Sequence, residues 1–339
     1  MTAAFVLTVA VTAVLPKVAG AQTRVPTYEV DRAWPKPLPN QWVLGGLGGV
    51  CVDSLDHVFI LNRQDNPAAE RDAGRIAPLI LEIDPSGAVI NTWGDPELLD
   101  PRLHSCHVEN NNDIWMASAP SGMVQKYSHD GRRLLMQIGT RGVVDSSDGT
   151  VKGKPLNSDA ARFFMPASMY VDPANGDLLV ADGEGAGGNR RVAVMDRAGA
   201  FLRQWHPEGM NTVHCLAGSN AGLIYVCNRE HGRIQVYDKG GRLIRNIEVP
   251  GQATGTGGSA VALAFSPDAN QQWIFVINQN DTRIDVLDHR SGKVVSSFGR
   301  AGQRPGEFDQ PHGIAVDSKG NVYVAENRGK RIQKFAPRP

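Results

Sequence analysis

The sequence lacks an excess of charge of either sign: Lys+Arg and Asp+Glu both number 35 over 339 residues. No net field therefore draws the protein toward nucleic acid or an acidic membrane, and neither is expected as a partner. Beyond the N-terminus no stretch stays apolar for the ~20 residues that a membrane span needs, so the mature chain is read without one. Cysteine is scarce too. Cys51, Cys106, Cys215 and Cys227 all fall inside predicted strands at repeat positions, where they read as free, buried small apolar residues and not as a disulfide framework. What is plentiful is glycine (37) and proline (21) against moderate hydrophobicity, which suits many short strands and turns.

The one long apolar run, Ala3 to Leu15, precedes Ala19-Gly20-Ala21 and Gln22. This small-x-small pattern reads as a secretory signal peptide over residues 1–21, although a positive n-region is missing. Residues 22–339 then form a single domain in a secreted or periplasmic protein, and no linker or second domain is visible.

Self-similarity dominates the rest. The last unit is the cleanest: Pro311 to Asp317, Gly320 to Val324 and Arg331 to Phe335 are three strands separated by turn residues. Related units begin at Gly49, Cys106, Met169, Cys215 and Val261 and carry four short strands each. Six such units predict an all-β fold, a six-bladed β-propeller with four-stranded blades, the arrangement that leaves only short, protected edges. The sixth unit lacks a fourth strand, and Thr27 to Asp31 has no other partner. That N-terminal segment is therefore expected to close the ring. Arg191, Arg233, Arg283 and Arg331 each open a third strand, and read as structural inter-blade hydrogen bonds or ion pairs.

Function is sought where the repeats differ. At the entrance of each innermost strand the residue is Gly48, His104, Ala167, His214, about Val261, and His312. Each of the three histidines lies eleven residues before an aromatic of the second strand (Trp115, Tyr225, Tyr323), which puts His104 in register and His107 out of it. Alternate blades of a six-fold ring lie about 120° apart, so three imidazoles point at the axis from one level. That is the facial geometry of a three-histidine metal site with positions left open. Zinc is the preferred ion, though imidazole also suits iron, copper or nickel. Just past the second strands stand Arg63, Glu184, Arg229 and Arg328. Arg63 and Arg229 read either as bidentate anchors for a carboxylate or as solvated rim charges. Two insertions on this face, Gln64 to Pro78 and Thr140 to Arg162, are lids or plain loops.

From about Gly45 to Phe335 these residues resemble the peptidyl-α-hydroxyglycine α-amidating lyases and, more broadly, NHL-repeat proteins. The resemblance implies a zinc ion on His104, His214 and His312, with family arginines matching Arg63 and, in Arg229-Glu230-His231-Gly232-Arg233-Ile234, Arg229. Two departures stand out. The family's catalytic tyrosine follows Asp-Gly after the second strand of blade 3, where Asp182-Gly183 is followed here by Glu184; the aspartate that ligates a structural calcium is here Gly313. The family's flanking disulfide cysteines are also missing, and calcium is not expected. The resulting expectation is a metal-dependent lyase-type enzyme with Glu184 as base in the tyrosine's place. Its substrate would be a small or peptidic molecule bearing a carboxylate. The alternative is a non-catalytic binding propeller with a structural metal; a hydrolase ranks third.

Overall fold

A computed structural model of the chain describes residues 24–143, 162–185, 189–210, 212–251 and 258–338. The signal peptide read over residues 1–21 lies outside the described residues. Six antiparallel sheets of four strands each form the blades of a propeller. Blade 1 runs through Leu47–Val52, Val58–Asn62, Ile80–Ile83 and Val89–Trp93. Blade 6 has Pro311–Val316, Val322–Glu326 and Arg331–Pro337, and takes its fourth strand from Tyr28–Val30, in register Tyr28↔Pro337 and Val30↔Phe335. The closure expected from the sequence is thus observed. Among the described residues no helix is long and apolar enough to cross a membrane.

The burial pattern follows the radial position of each strand. Second strands such as Val58–Asn62 and Ile224–Asn228 are buried at every position because a blade covers each of their faces. Outermost strands are more exposed, and Val294–Phe298 alternates along its length, because one face meets water. Aspartates set the turns between first and second strands: Asp53 Oδ1 accepts the Leu55 and His57 amides at 2.8 Å, and Asp317 Oδ1 accepts those of Lys319 and Asn321 at 3.0 and 2.8 Å. In the outer turns glycine is required twice over. Gly131 and Gly241 have φ of +72° and +89°, and a Cβ there would sit 2.1 and 2.8 Å from the rings of Trp93 and Trp205 on the preceding blade. These contacts stack each blade on the last.

Three expectations need correction. The cysteines are not free: Cys51 and Cys106 form a disulfide between the innermost strands of blades 1 and 2, and Cys215 and Cys227 form one within blade 4. Innermost strands converge on the axis, so cysteines 55 residues apart reach a Cα separation of 5.8 Å, within bonding range. Three of the four repeat arginines pair within their own blades: Arg191 with Asp182 at 2.9 Å, Arg283 with Asp285 at 2.7 Å and Arg331 with Glu326 at 2.6 Å, whereas Arg233 Nε is buried without a hydrogen bond. Each partner lies on the same third strand or on the second strand beside it, closer than any neighbouring blade. The innermost strand of blade 5 is shorter than expected, Leu263–Phe265.

The Gln64 to Pro78 insertion is built in. It contains a short helix, Ala68–Ala73, and a two-residue strand, Arg75–Ile76, parallel to Trp42–Val43. Asn66 donates to the Leu44 carbonyl at 2.8 Å, and Lys330 of blade 6 pairs with Glu70 at 2.6 Å. Of the second insertion, residues 144–161 lie outside the described residues.

Candidate functional site

His104, His214 and His312 are carried at the start of the innermost strands of blades 2, 4 and 6. All three are held in one way. Each Nδ1 donates to a carbonyl on the next blade: His104 to Ala167 at 2.7 Å, His214 to Val261 at 2.7 Å and His312 to Gly48 at 2.8 Å. A carbonyl only accepts, so the proton is on Nδ1 and the lone pair of each Nε2 faces the axis. Even-numbered blades supply imidazoles, and odd-numbered blades supply, at the same register, the carbonyls that orient them. At blade 1 this demands Gly48, because a Cβ there would lie 2.0 Å from the Leu103 carbonyl oxygen.

The ring centroids are 4.8, 4.8 and 5.2 Å apart, and one nitrogen of each ring lies within 4.8 Å of the others. Nε2 of His104 and of His214 makes no hydrogen bond although buried, and neither does Glu184 Oε2 beside them. Three facing buried atoms left without hydrogen bonds are costly unless a cation joins them. Three neutral imidazole donors fit a transition metal, and carbonyl-anchored Nδ1 atoms are the support such ligands require. Burial pulls the His214 pKa down to about 3 and that of His312 well below the usual imidazole value, with the facing imidazoles adding to the effect. The His214 and His312 donors are thus unprotonated at neutral pH.

Glu184 reaches into the same space. Its Oε2 is 3.2 Å from His214 Nε2, its Oε1 3.7 Å from His104 Nε2 and 3.3 Å from Arg229 Nη1. The loop that carries it is fixed: the Gly183 and Glu184 amides donate to the Met165 carbonyl at 3.0 and 2.8 Å. Asp182, just before, accepts the Phe164 amide, Asn189 and Arg191. Burial alone would push the Glu184 carboxyl up. The Arg229 guanidinium, 3.3 Å away, opposes this, and the group is held well below its ordinary value.

Above the histidines lies a cavity of about 200 Å³ bordered by Arg63, Arg102, Glu184, Arg229, His104 and His312. Arg63 is fixed by donating from Nε to the Leu103 carbonyl at 2.9 Å, and Arg229 sits on a short turn, Arg229–His231. Below them a channel lined by the innermost strands runs on toward the other face, and all three histidines border it. The histidines are therefore the waist of the axial passage. The out-of-register His107 faces that lower channel, where its Nε2 accepts the Val171 amide at 3.3 Å. Arg328 turns away to Asp309 at 3.1 Å. Gly313 packs against the backbone of blade 1, where a Cβ would come 2.9 Å from Gly49 Cα, so a carboxylate side chain has no room there.

Arg102 and Gln310 were missed in the sequence. Each lies two residues before an in-register histidine, a signal that would have found them.

A family model for the NHL repeat matches residues 308–335. NHL repeat-containing protein 3 of Mus musculus is 30% identical over 332 residues, covering 92% of this chain and 85% of that protein. Peptidyl-alpha-hydroxyglycine alpha-amidating lyase 1 of Drosophila melanogaster is 25% identical, covering 92% of this chain and 60% of that protein. The chain covers 35% of the longer peptidyl-glycine alpha-amidating monooxygenase B of Xenopus laevis, at 24% identity. Among solved structures, a streptogramin B lyase aligns with a TM-score of 0.57 at 13% identity, over 92% of this chain and 98% of that one, which speaks for the fold alone. The identity to the mouse protein, sustained along nearly the whole propeller, establishes that the chain belongs to the NHL repeat-containing protein family.

Proposed function

We propose that the protein is a metal-dependent lyase-type enzyme whose carboxylate-bearing substrate, a small molecule or peptide, binds in the cavity above the three histidines. The observation that carries this reading is the set of Nε2 atoms on His104, His214 and His312, each aimed at the axis by a carbonyl-anchored Nδ1. Zinc bound there would act as a Lewis acid toward a substrate oxygen. Arg63 and Arg229 offer planar forks to the substrate carboxylate, with Arg102 adding positive charge on the same wall. For an N-acyl-α-hydroxyglycine, Glu184 accepts the hydroxyl proton, the released electron pair forms the C=O bond of the aldehyde product, the Cα–N bond breaks with its electron pair on nitrogen, and the departing amide nitrogen takes the proton back from Glu184. The similarity to an amidating lyase over nine-tenths of the chain supports this class. Export to a secreted or periplasmic location is supported by the apolar N-terminal run and by two disulfides, which persist in oxidising compartments.

One observation favours a second reading. A carboxylate held far below its ordinary value and 3.2 Å from His214 Nε2 is a weak base and a good fourth metal ligand. In that role Glu184 closes the site, and the propeller is a binding module with a structural metal.

Metal content and turnover of an α-hydroxyglycine peptide by the Glu184→Gln protein separate the two. As base, Glu184→Gln lowers kcat by ~10²–10⁴-fold with metal retained; as ligand, it lowers metal occupancy. Arg229→Lys should raise KM more than it lowers kcat, since lysine keeps charge and loses the fork. Full metal occupancy in His214→Ala would overturn the central site itself.

A further inference from the structure

The lower face of the propeller, opposite the three histidines, carries a second convergence of donor atoms. Asp53 ends the innermost strand of blade 1, His57 opens its second strand, Glu82 lies near the end of its third, and His129 projects from the outer turn of blade 2. Asp53 Oδ2 lies 2.7 Å from His129 Nε2 and 3.4 Å from His57 Nδ1; Glu82 Oε1 lies 2.8 Å from His57 Nδ1 and 4.0 Å from His129 Nε2. All four atoms are within 4.8 Å of one another. Tetrahedral zinc, with bonds of about 2.0–2.1 Å, sets its donors about 3.3 Å apart. The four observed separations straddle that value, so small side-chain shifts would complete the tetrahedron.

Charge makes the same demand. The side chains of Asp53 and Glu82 are 0% and 5% exposed, and among the described residues neither pairs with a lysine or arginine. The two buried carboxylates thus face two imidazoles with no ammonium or guanidinium beside them, a donor set that takes up a divalent cation. The other carboxylate oxygens are already used: Asp53 Oδ1 takes the Leu55 and His57 amides, and Glu82 Oε2 takes Asn91 Nδ2 at 3.1 Å. These contacts fix the carboxylates and leave one oxygen of each facing the imidazoles. His57 and His129, at 20% and 32% exposure, leave an entry path from solvent.

We propose that Asp53, His57, Glu82 and His129 form a structural zinc site that staples the outer turn of blade 2 to blade 1. Two nitrogens and two carboxylate oxygens suit zinc, and all four positions are protein ligands, so the site is closed and has no catalytic opening. It is independent of the central histidines.

The test is zinc titration of the metal-depleted full-length protein, with zinc counted by atomic emission. Wild type should hold two ions per chain. His129→Ala and Glu82→Gln should each hold one; the first changes a solvent-facing turn, and the second keeps size and the Asn91 contact. His214→Ala should also hold one, and His129→Ala with His214→Ala none. Zinc should raise the thermal midpoint of His214→Ala and leave that of the double variant unmoved. If the central reading fails while this one holds, wild type and His214→Ala both bind one ion and His129→Ala none. Wild-type zinc stoichiometry in both His129→Ala and Glu82→Gln would overturn the lower-face site and leave a hydrogen-bonded cluster.

Discussion

Removing the Cys51–Cys106 bridge by a double substitution to serine tests how far neighbouring blades depend on covalent ties. The bridge closes a loop with a sequence separation of 55 and Cys215–Cys227 one of 12. The chain-entropy relation gives about 4 kcal/mol for the first and about 3 kcal/mol for the second. The longer loop thus counts for more, and its cysteines belong to separate blades, with no shared sheet to keep them adjacent once the bond is gone. For a domain of this size, about 4 kcal/mol corresponds to a fall in thermal midpoint of about 6 °C. The assay is thermal unfolding of wild type, Cys51→Ser/Cys106→Ser and Cys215→Ser/Cys227→Ser, with thiols counted under denaturing, non-reducing conditions. Wild type should show no free thiol, and the inter-blade variant should melt lowest. Four free thiols in wild type, or an unchanged midpoint in the inter-blade variant, would refute the reasoning.

Gly48→Ala places a Cβ against the Leu103 carbonyl and 3.0 Å from Arg63 Nε. It should destabilise the protein by ~1–3 kcal/mol and, by moving the carbonyl that orients His312, weaken zinc binding by about tenfold or more; unchanged zinc affinity in a competition titration would contradict that orienting role. His107 links stability to pH. Burial lowers its pKa from 6.5 to about 4, so the unfolded chain binds the proton more readily, and the stability His107 contributes is complete above 6.5 and lost as pH falls toward 4. The shift sets an upper bound of about 3 kcal/mol, reduced because the residue is only partly buried. His107→Gln should flatten this part of the stability–pH profile measured by denaturant unfolding, and an unaltered profile would count against it.

The blades were legible because each strand is short and bounded by aspartate or glycine turns, so the repeat frame survives changes inside it. That frame also separated His104 from His107, which composition could not. It failed where proximity arises between repeats. Cys51 and Cys106 belong to different units, and nothing in either unit signals that their strands meet near the axis. The same holds for the lower-face cluster, whose four residues come from three strands or strand ends of one blade and a turn of the next. In blade 5 Val261 keeps the shared register, its carbonyl accepting from His214 as those of Gly48 and Ala167 accept from His312 and His104, but the ladder itself takes in only Leu263–Phe265. Glu184 was found by position, but only the folded loop shows its carboxylate entering the space between His104 and His214.

The pairing of Tyr28–Val30 with Arg331–Pro337 joins segments about 300 residues apart in the chain. Closing a flexible loop that long costs about 5 kcal/mol beyond the constant term, more than a three-residue pairing supplies on its own. Every other blade assembles from strands that follow one another in the chain, so those contacts form early and cheaply in entropy. The ring must therefore pass through an open arc before it shuts. In that arc the strand Arg331–Pro337 is an unpaired edge, ready to accept the Tyr28–Val30 segment of a second molecule as readily as its own. Refolding at high protein concentration should accordingly yield exchanged dimers, and dilution should return them to single closed rings.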